Sequence, residues 1–458
     1  MKGAIDRRQA PNTTVHARWR RFASAALAIG LAASGTPAGA VSLIRDAEIE
    51  ATIDEMSQPV FEAAGLGADS VDMYIVQDPT LNAFVAGGMN MFLNTGFLMR
   101  TEDPGQMVGV IAHEAGHIAA GHLSRVTVAQ QRATAEMILG TVLGLATAVA
   151  GVPGLGAALI TGGQAAAQSS LSRFSVSQEQ QADQAALTYL DSAGVSPAGL
   201  AEFFHILETQ NVLSVSASNP YLRSHPLTRD RIAFVENAVR SGTHPSGYPP
   251  GWVADHARMV AKLRGFLDEP REVLQRYPEG GDLPARYARA IALYRLPDLP
   301  AALVAVDELI AESPNDPYFY ELKGQMLFEH GRIEDAIPAY RESVRLKPDS
   351  ALLRLGLGQA LVETGTDNGS QEAIPLLKEA VRLEPDNAGA WRMLGIAEGR
   401  AGDPGEASLA LAEFALLAGK DQDARLYLQR ATNLVEPGET SWQHLQDLKS
   451  LVLSKNAD

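Results

Sequence analysis

The last third of the chain repeats with a period close to 34 residues, and this regularity limits the fold more than any other feature. Prolines follow successive helical segments at Pro314, Pro348 and Pro385, so the spacings are 34 and 37 residues, and the three additional residues fall in the turn "TDNGSQ". Small residues keep a constant place in each unit, at Gly324, Gly358 and Gly395 in the first helix and at Ala302, Ala336, Ala373 and Ala407 in the second. Because small residues let paired helices approach closely, the pattern predicts a stack of helical hairpins.

This periodicity resembles the tetratricopeptide repeat, whose period is 34 residues. Three units are in register, and a degenerate unit, "LPARYARAIALYRLPDLPAALVAVDELI", precedes them. The alternative is an ordinary helical bundle in which the spacing is accidental. Stacked helix pairs form a concave surface that typically binds a partner or an extended peptide. We therefore predict that residues 251–458 form an all-α solenoid.

Residues 41–250 combine strand and helix patterns. The segment "VDMYIVQDP" (71–79) alternates apolar and polar residues and stops at Asp-Pro, which predicts a strand. The segment "LNAFVAGGMNMFLNTGFLMR" (81–100) predicts a hairpin with Gly87 and Gly88 at the bend. The Pro- and Gly-rich "HPSGYPPGW" (244–252) predicts a linker. The expected fold class is α+β, with a mostly helical domain that carries a small sheet, followed by the solenoid.

The N-terminus has the pattern of an export signal. Six basic residues precede and flank the apolar run "FASAALAIGLAASG", and "TPAGA" follows, ending at Ala40. A basic segment, a short apolar segment and a small-x-small site are typical of a secretory signal peptide. We predict that residues 1–40 are removed near Ala40; the alternative is an amphipathic helix that stays on the chain.

Charge and cysteine content exclude several classes of function. The formal net charge is −16, and without residues 1–40, which hold six basic residues and one acid, it is 32 minus 53, or −21. Such an acidic body argues against binding of nucleic acid and against adhesion to an anionic bilayer. The chain has no cysteine. It therefore forms no disulfide, and a zinc site must use only histidines and carboxylates.

The segment "VIAHEAGHIAAGHLSR" (110–125) has the spacing of a metal site. His113 and His117 are four residues apart, so on a helix both imidazoles face one ion. Glu114 lies one step round the helix, where it can take a proton from a metal-bound water without being a ligand. This is the H-E-x-x-H arrangement of zinc peptidases.

The third histidine of the segment, His122, does not fit the known extension of that motif. The longer motif requires glycine and histidine at positions 120 and 123, where this chain has Ala120 and Leu123. We expect His122 to point away from the face of His113 and His117, as a polar or capping residue near the helix end.

The third ligand must come from elsewhere, and a carboxylate on a second helix is the natural candidate. In "SRFSVSQEQQADQAALTYLDSAG", Glu179 and Asp183 are four apart, and Ala182 between them permits a close approach of two helices. Glu179 would ligate the ion, and Asp183 would hydrogen-bond a ligand histidine and fix its tautomer. The alternative is a solvated acidic helix face.

Together these motifs resemble the HtpX-like zinc metallopeptidases, peptidase family M48. The resemblance rests on H-E-x-x-H, "SRFSVSQEQQAD" (172–183), "NAFVAGGMNMFLNTGFL" (82–98) and "SHPLTRDRI" (224–232). With the signal segment and repeats, the chain is similar to the BepA-type periplasmic members. The resemblance implies a gluzincin-type zinc peptidase in the periplasm, with one Zn²⁺ per chain held by His113, His117 and Glu179.

The resemblance also places His225 near the metal. There it either occupies the fourth coordination position, which closes the site, or hydrogen-bonds the tetrahedral intermediate. The alternative is that His225 only begins a helix before Pro226. Arg231 is expected to pair with a nearby carboxylate in a structural role.

Residues 137–172 form a stretch of 36 residues without a charge. That length suggests a membrane span, but glycines and Pro153 interrupt the stretch, and neither half reaches twenty strongly apolar residues. We expect a helical hairpin beside the active site, serving as a lid or a membrane-surface contact; the alternative is a true span.

These observations predict a periplasmic zinc endopeptidase in which zinc activates water and Glu114 is the general base. The hairpin strand at 84–93 offers an edge for the substrate backbone. The resemblance implies that its substrates are misfolded or stalled outer-membrane proteins, and that the repeats contact those proteins and their assembly machinery. The rival hypothesis is a chaperone or assembly factor that acts mainly through its repeats, with rare proteolysis gated by His225.

Overall fold

The computed structural model describes residues 42–67, 70–122, 176–213, 220–438 and 440–454. The predicted signal peptide (1–40) and the predicted hairpin (137–172) lie outside these ranges. Among the helices in the described ranges, none is long and apolar enough to cross a bilayer.

The N-terminal region contains seven described helices. They are α1 (Ala47–Ala63), α2 (Thr95–Leu98), α3 (Pro104–Ala119), α4 (Val176–Ser192), α5 (Ala198–Leu213), α6 (Pro220–Ser224) and α7 (Arg229–Ser241). Asp46 caps α1 by accepting hydrogen bonds from two backbone amides of its first turn. Asp103 caps α3 by accepting a hydrogen bond from the Gly105 amide, and Pro104 follows as the first helical residue, where its missing N–H costs nothing. The start of the helix that carries the histidine motif is therefore fixed by local sequence.

A small mixed sheet lies against these helices. Its strands are β1 (Leu43–Ile44), β2 (Asp72–Val76), β3 (Ala83–Ala86) and β4 (Asn90–Asn94), in the order β1-β2-β4-β3. Strands β2 and β4 are parallel, whereas the other two neighbouring pairs are antiparallel. The predicted β3–β4 hairpin is confirmed, and Gly87 and Gly88 both have positive φ, at 63° and 102°.

The hairpin is shorter than the pattern over residues 81–100 predicts, because β4 ends at Asn94 and α2 follows at once. Gly96 donates a backbone hydrogen bond to Asp78 at 2.8 Å, and the Thr95 hydroxyl donates to the same carbonyl oxygen at 3.0 Å. A Cβ atom on Gly96 would lie 2.1 Å from the carbonyl oxygen of Pro79. The chain therefore turns here through a contact that only glycine permits.

Helix α3 is central to the core of the N-terminal region. It packs against α4 and α5 and against β3, and it is buried from Pro104 to His117. Its close approach to α4 depends on Gly116, because a Cβ atom there would lie 3.0 Å from the carbonyl oxygen of Ala182. Ala182 is fully buried. The small pair Gly116 and Ala182 brings together the two helices that carry the predicted ligands.

Every element of secondary structure described in the C-terminal region is a helix. Its helices are α8 (Trp252–Leu267), α9 (Pro270–Arg276), α10 (Leu283–Arg295), α11 (Leu299–Glu312), α12 (Pro317–Glu329), α13 (Ile333–Leu346), α14 (Ala351–Glu363), α15 (Asp367–Leu383), α16 (Ala388–Ala401), α17 (Pro404–Leu417), α18 (Asp421–Thr432) and α19 (Thr440–Ser454). Helices α10 to α17 form four successive hairpins. The recurrent glycines lie at their crossings: a Cβ atom on Gly324, Gly358 or Gly395 would lie 2.7–2.8 Å from a side chain of the paired helix. The predicted solenoid is confirmed.

The two regions share a buried charged cluster, which we call the junction, formed by Asp46, Glu48, Lys262 and Tyr287. Lys262 Nζ lies 2.8 Å from a carboxylate oxygen of Asp46 and 3.1 Å from Glu48 Oε2. The Tyr287 hydroxyl donates a hydrogen bond to Glu48 Oε2 at 2.7 Å. Lys262 and Glu48 are almost fully buried. The start of α1 is thus bonded to α8 and to the first repeat helix, α10.

Helix α8 also contributes directly to the core of the N-terminal region. Trp252, Met259 and Leu263 pack in one apolar cluster with residues of the sheet and of α3 and α5. The predicted domain boundary near residue 250 lies between α7 and α8 and stays a prediction.

Candidate metal centre

Four buried side chains with metal-ligating atoms converge at one point in the N-terminal region. His113 and His117 come from α3, Glu179 from the first turn of α4, and His225 from the residue that follows α6. Their ligating atoms lie within 4.8 Å of one another, and the residues are 0, 1, 0 and 2% exposed, in that order. Two helices and the residue after a third supply the group, and α3 and α4 cross closely at Gly116.

The spacing of these atoms fits a tetrahedral metal ion. His113 Nε2 lies 3.1 Å from His117 Nε2, and the carboxylate oxygens of Glu179 lie 3.4 Å from each of these nitrogens. Ligands about 2.0–2.1 Å from a tetrahedral zinc ion are separated from one another by roughly 3.3 Å. Two imidazoles and one carboxylate also form a donor set that is found in hydrolytic zinc sites. The residues present therefore fit the ion.

The two histidines of α3 differ in protonation. Burial lowers the pKa of His113, but its hydrogen bonds to Asp183 and Glu179 outweigh burial and raise that pKa to about 9. Burial dominates at His117 and lowers its pKa to about 3. His117 is therefore neutral at pH 7, whereas a metal ion must displace a proton from His113, because an imidazole ligates only through an unprotonated nitrogen.

Glu114 lies beside the group and is not a member of it. Its side chain is buried, and Oε1 lies 3.4 Å from His225 Nε2. Burial raises the pKa of Glu114, although the nearby His225 and His113 lower it, and the net direction is upward. A carboxylate in such surroundings is a stronger base than one in water.

Asp183, which was predicted to contact a ligand histidine, lies next to His113. Asp183 Oδ1 lies 2.9 Å from His113 Nδ1, the ring nitrogen that does not face the ligand group. Burial alone would raise the pKa of Asp183, but hydrogen bonds from Arg231 and the contact with His113 hold it below its ordinary value. A carboxylate at this position can orient a ligand histidine and select its tautomer, and this role of Asp183 stays a prediction.

Comparison with known proteins assigns this region to a family. Residues 44–239 match the family model described as Peptidase family M48, and this range contains the four-residue group and Glu114. The chain carries an M48 peptidase domain. Residues 324–365 match a TPR repeat model, and residues 366–407 match a tetratricopeptide repeat model. The match confirms the predicted family. Because M48 domains are metallopeptidase domains, a divalent metal is implied at the site.

Two curated relatives match more of the chain than the M48 model does. A beta-barrel assembly-enhancing protease of Yersinia pestis is 26% identical over 295 residues, which cover 63% of this chain and 60% of the relative. The protein of that name from Escherichia coli is 24% identical over 408 residues, which cover 87% of this chain and 82% of the relative. The chain thus spans less than two thirds of the Yersinia protein. Among solved structures, MamA is 20% identical and covers 37% of this chain and 94% of its own, but a TM-score of 0.29 supports no inference.

Arg231, expected to pair with one nearby carboxylate, binds two of the three acidic residues of the site, Asp183 and Glu179. The side chain is 1% exposed, donates from Nε and Nη2 to Asp183 at 2.6 and 2.8 Å, and places Nη1 2.9 Å from Glu179 Oε2. It also donates to the carbonyl oxygen of Pro226 at 3.0 Å. One guanidinium therefore holds the ligand carboxylate, the orienting carboxylate and the turn after His225. No pattern within α7 indicates which carboxylates Arg231 binds, because Asp183 lies 48 positions earlier in the sequence.

His122 is outside the ligand group, as expected, but the expectation that it points away from His117 was wrong. Helix α3 ends at Ala119, and Gly121 has a φ of +63°, so the chain turns back. His122 Nδ1 consequently lies 3.0 Å from His117 Nδ1, and His122 Nε2 lies 3.4 Å from Gln181 Oε1. The helical spacing used in the prediction did not apply beyond residue 119. Gly121, a typical residue for ending a helix, is the signal that predicts this turn.

Proposed function

We propose that the chain is a zinc-dependent endopeptidase with one zinc ion per chain, held by His113, His117 and Glu179. The observation that carries this proposal is the convergence of these three buried side chains next to Glu114, within an M48 domain. A zinc ion bound there would polarise the scissile carbonyl and lower the pKa of a water molecule. In this proposal Glu114 accepts a proton from the attacking water and delivers it to the leaving amine.

The remaining buried residues of the site orient the ligands. Asp183 fixes the ring of His113 through its Nδ1, and Arg231 holds Asp183 and Glu179 in place from the other side. Because Asp183 and Arg231 hold His113 and Glu179 in place, these two ligands require little reorganisation. The raised pKa of Glu114 suits it to accept a proton near neutral pH.

His225 is proposed to close this site at rest. Its Nδ1 lies 3.2 Å from Glu179 Oε1 and its Nε2 lies 3.4 Å from Glu114 Oε1, so the ring separates the ligand carboxylate from the base. An open catalytic site needs its fourth coordination position for water. The ring must therefore move before a scissile carbonyl reaches Glu114.

Replacing His225 with alanine is expected to increase cleavage. If the site is open in one molecule in ten at rest, removing the ring raises kcat/KM about tenfold. The measurement is kcat/KM on an unfolded protein substrate, with His205→Ala as control, because His205 is an exposed histidine that pairs with Glu236. A loss of cleavage in His225→Ala alone would instead assign His225 to stabilisation of the tetrahedral intermediate.

The proposed substrates are misfolded or stalled outer-membrane proteins, and the proposed location is the periplasm. The name of the relatives, beta-barrel assembly-enhancing protease, supports this substrate class, and the signal-like N-terminus supports export. In this proposal the repeats bind these proteins or their assembly machinery, and the edge of β3 accepts the substrate backbone.

The test of this function combines metal analysis with turnover. Purified chain should contain one zinc ion, cleave an unfolded outer-membrane protein, lose cleavage on chelation and regain it when zinc is added. Cleavage that persists after complete removal of metal would overturn the proposal.

A second candidate function is an assembly factor that acts through its repeats. The position of His225 inside the site favours this candidate.

A further inference from the structure

The end of helix α3 brings another histidine against the proposed ligand His117. Two backbone hydrogen bonds close the helix: the Gly121 N–H donates to the Ile118 carbonyl oxygen at 3.0 Å, and the His122 N–H donates to the His117 carbonyl oxygen at 3.1 Å. Together with the left-handed backbone of Gly121, at a φ of +63°, these bonds form a Schellman motif. In this motif the last residue commonly contacts the side chain of the residue five positions earlier.

In α3 both side chains of that contact are imidazoles. The ring centroids of His117 and His122 are 5.0 Å apart, the two Nδ1 atoms are 3.0 Å apart, and each residue is 1% exposed. Helix α4 ends in the same motif at Gly194, where the corresponding residues are Leu190 and Val195 of the apolar core. The end of α3 therefore has a hydrogen bond between two rings where the motif usually has an apolar contact.

The direction of this hydrogen bond follows from a further neighbour of His122. Its Nε2 lies 3.4 Å from Gln181 Oε1, and the amide nitrogen of Gln181 donates to Ser177 Oγ at 3.3 Å. Because an amide oxygen only accepts hydrogen bonds, the proton of the neutral His122 ring lies on Nε2. His122 Nδ1 then carries a lone pair, and it accepts the hydrogen bond from Nδ1 of His117.

We infer that His122 is a positioning residue of the metal centre, which accepts the Nδ1–H of His117 and so leaves the lone pair of His117 Nε2 for the ion. This inference rests on the proposed function, in which His117 is a ligand. A neutral imidazole has one protonated nitrogen and one lone pair, so only one tautomer of His117 can ligate through Nε2. Nε2 is the atom that faces the ligand group, 3.1 Å from His113 Nε2. The bond to His122 selects this tautomer and fixes the plane of the ring.

The two ligand histidines are thus held by partners of different charge. The carboxylate of Asp183 lies 2.9 Å from His113 Nδ1, whereas an imidazole occupies the equivalent place beside His117. The site already buries three carboxyl groups, and a fourth beside His117 would add to their mutual repulsion. A neutral acceptor orients the second ligand without that cost.

The experiment compares His122→Leu with His122→Asn in the full chain. Leucine offers no acceptor, whereas asparagine carries Oδ1 where histidine carries Nδ1, so it can accept from His117 although it is too short to extend to Gln181. The matched control is His256→Leu, because His256 is also buried and bonds to the Thr101 hydroxyl at 2.8 Å, outside the ligand group. Zinc affinity is measured by competition with a chromophoric chelator, and stability is measured by urea denaturation of the chelated chain.

His122→Leu should weaken zinc binding about 10- to 100-fold, as the loss of an orienting partner typically does. His122→Asn should bind zinc within about 5-fold of the wild type, because it keeps the acceptor. His256→Leu should keep the wild-type zinc affinity whatever its effect on stability. Unchanged affinity in His122→Leu overturns the inference, and so does an equal loss in His122→Leu and His122→Asn, which would assign His122 to packing.

A second readout requires no zinc. In the chelated chain, with histidine labelled by the NMR-active nitrogen isotope, the spectrum should show a proton on His117 Nδ1. It should also show a scalar coupling from this nitrogen to His122 Nδ1 across the hydrogen bond, which disappears in His122→Leu. A proton on His122 Nδ1 instead, or no coupling, overturns the inference even if the wild type binds zinc and cleaves its substrate. If the wild type binds no zinc, the proposed function fails, and the NMR result alone decides the role of His122.

Discussion

Glu114→Gln is expected to reduce kcat for cleavage of an unfolded outer-membrane protein about 10³-fold. Glutamine has the shape of glutamate but cannot accept a proton from water, and the loss of a positioned general base typically costs 10²- to 10⁴-fold in rate. Zinc content should be unchanged, because Glu114 is outside the group of four converging side chains. The measurement is kcat together with the molar ratio of zinc to chain.

Glu202→Gln provides the matched control for this substitution. Glu202 is an exposed residue of α5 that accepts a hydrogen bond from Gln106 at 3.1 Å, so the same chemical change there should leave kcat within a factor of two.

The substitution at Glu114 also separates the two candidate functions. An assembly factor that acts through its repeats would still support barrel assembly in cells that contain only the Glu114→Gln chain, whereas a peptidase would not.

Arg231→Leu is expected to lower the free energy of unfolding by about 3–5 kcal/mol, because it leaves buried carboxylates without their cation. Arg231 contacts both Asp183 and Glu179, and all three side chains are at most 1% exposed. Loss of an orienting partner also weakens metal binding, typically 10- to 100-fold. Urea denaturation with a chelator present measures the first effect, and zinc titration of the chelated chain measures the second.

The control for Arg231 lies on the same helix. Arg240 pairs with Glu236 at 3.1 Å but is 61% exposed, so Arg240→Leu should change stability by no more than about 1 kcal/mol. Arg231→Lys should fall between the two, because lysine keeps the charge but lacks the planar fork that binds Asp183 through two nitrogens. Equal denaturation midpoints for Arg231→Leu and Arg240→Leu would show that the buried pair contributes nothing.

Local sequence predicted the elements of the site because each depends on short-range rules. The spacing of His113 and His117 requires a helix, Asp103 and Pro104 begin that helix, and the glycines at 87 and 88 form the hairpin bend. The repeats were predictable for a similar reason. Their glycines and alanines recur wherever two helices cross closely, so the period of the sequence is the period of the packing.

The features that sequence did not predict depend on contacts between distant parts of the chain. The helical spacing of His122 was valid only while α3 continued, and the turn at Gly121 reversed its direction. Arg231 was expected to pair with a carboxylate, but its partner Asp183 is 48 positions away in the sequence, and no periodicity indicates that particular pairing. The pairing of Tyr74 and Phe84 with Phe92 across the sheet depends on strand register, which alternation within each strand does not specify.

The junction limits how freely either region can be exchanged for a foreign one, in evolution or in the laboratory. A chain cut after residue 250 would lose Lys262 and Tyr287, so the carboxylates of Asp46 and Glu48 at the start of α1 would lose these cationic and hydroxyl partners. It would also lose the apolar face that Met259 and Leu263 give to the N-terminal core. Protease and solenoid are therefore not independent modules. Grafting a foreign repeat array onto this M48 domain would require the donor to bring a helix equivalent to α8, and partners for α1, along with its repeats.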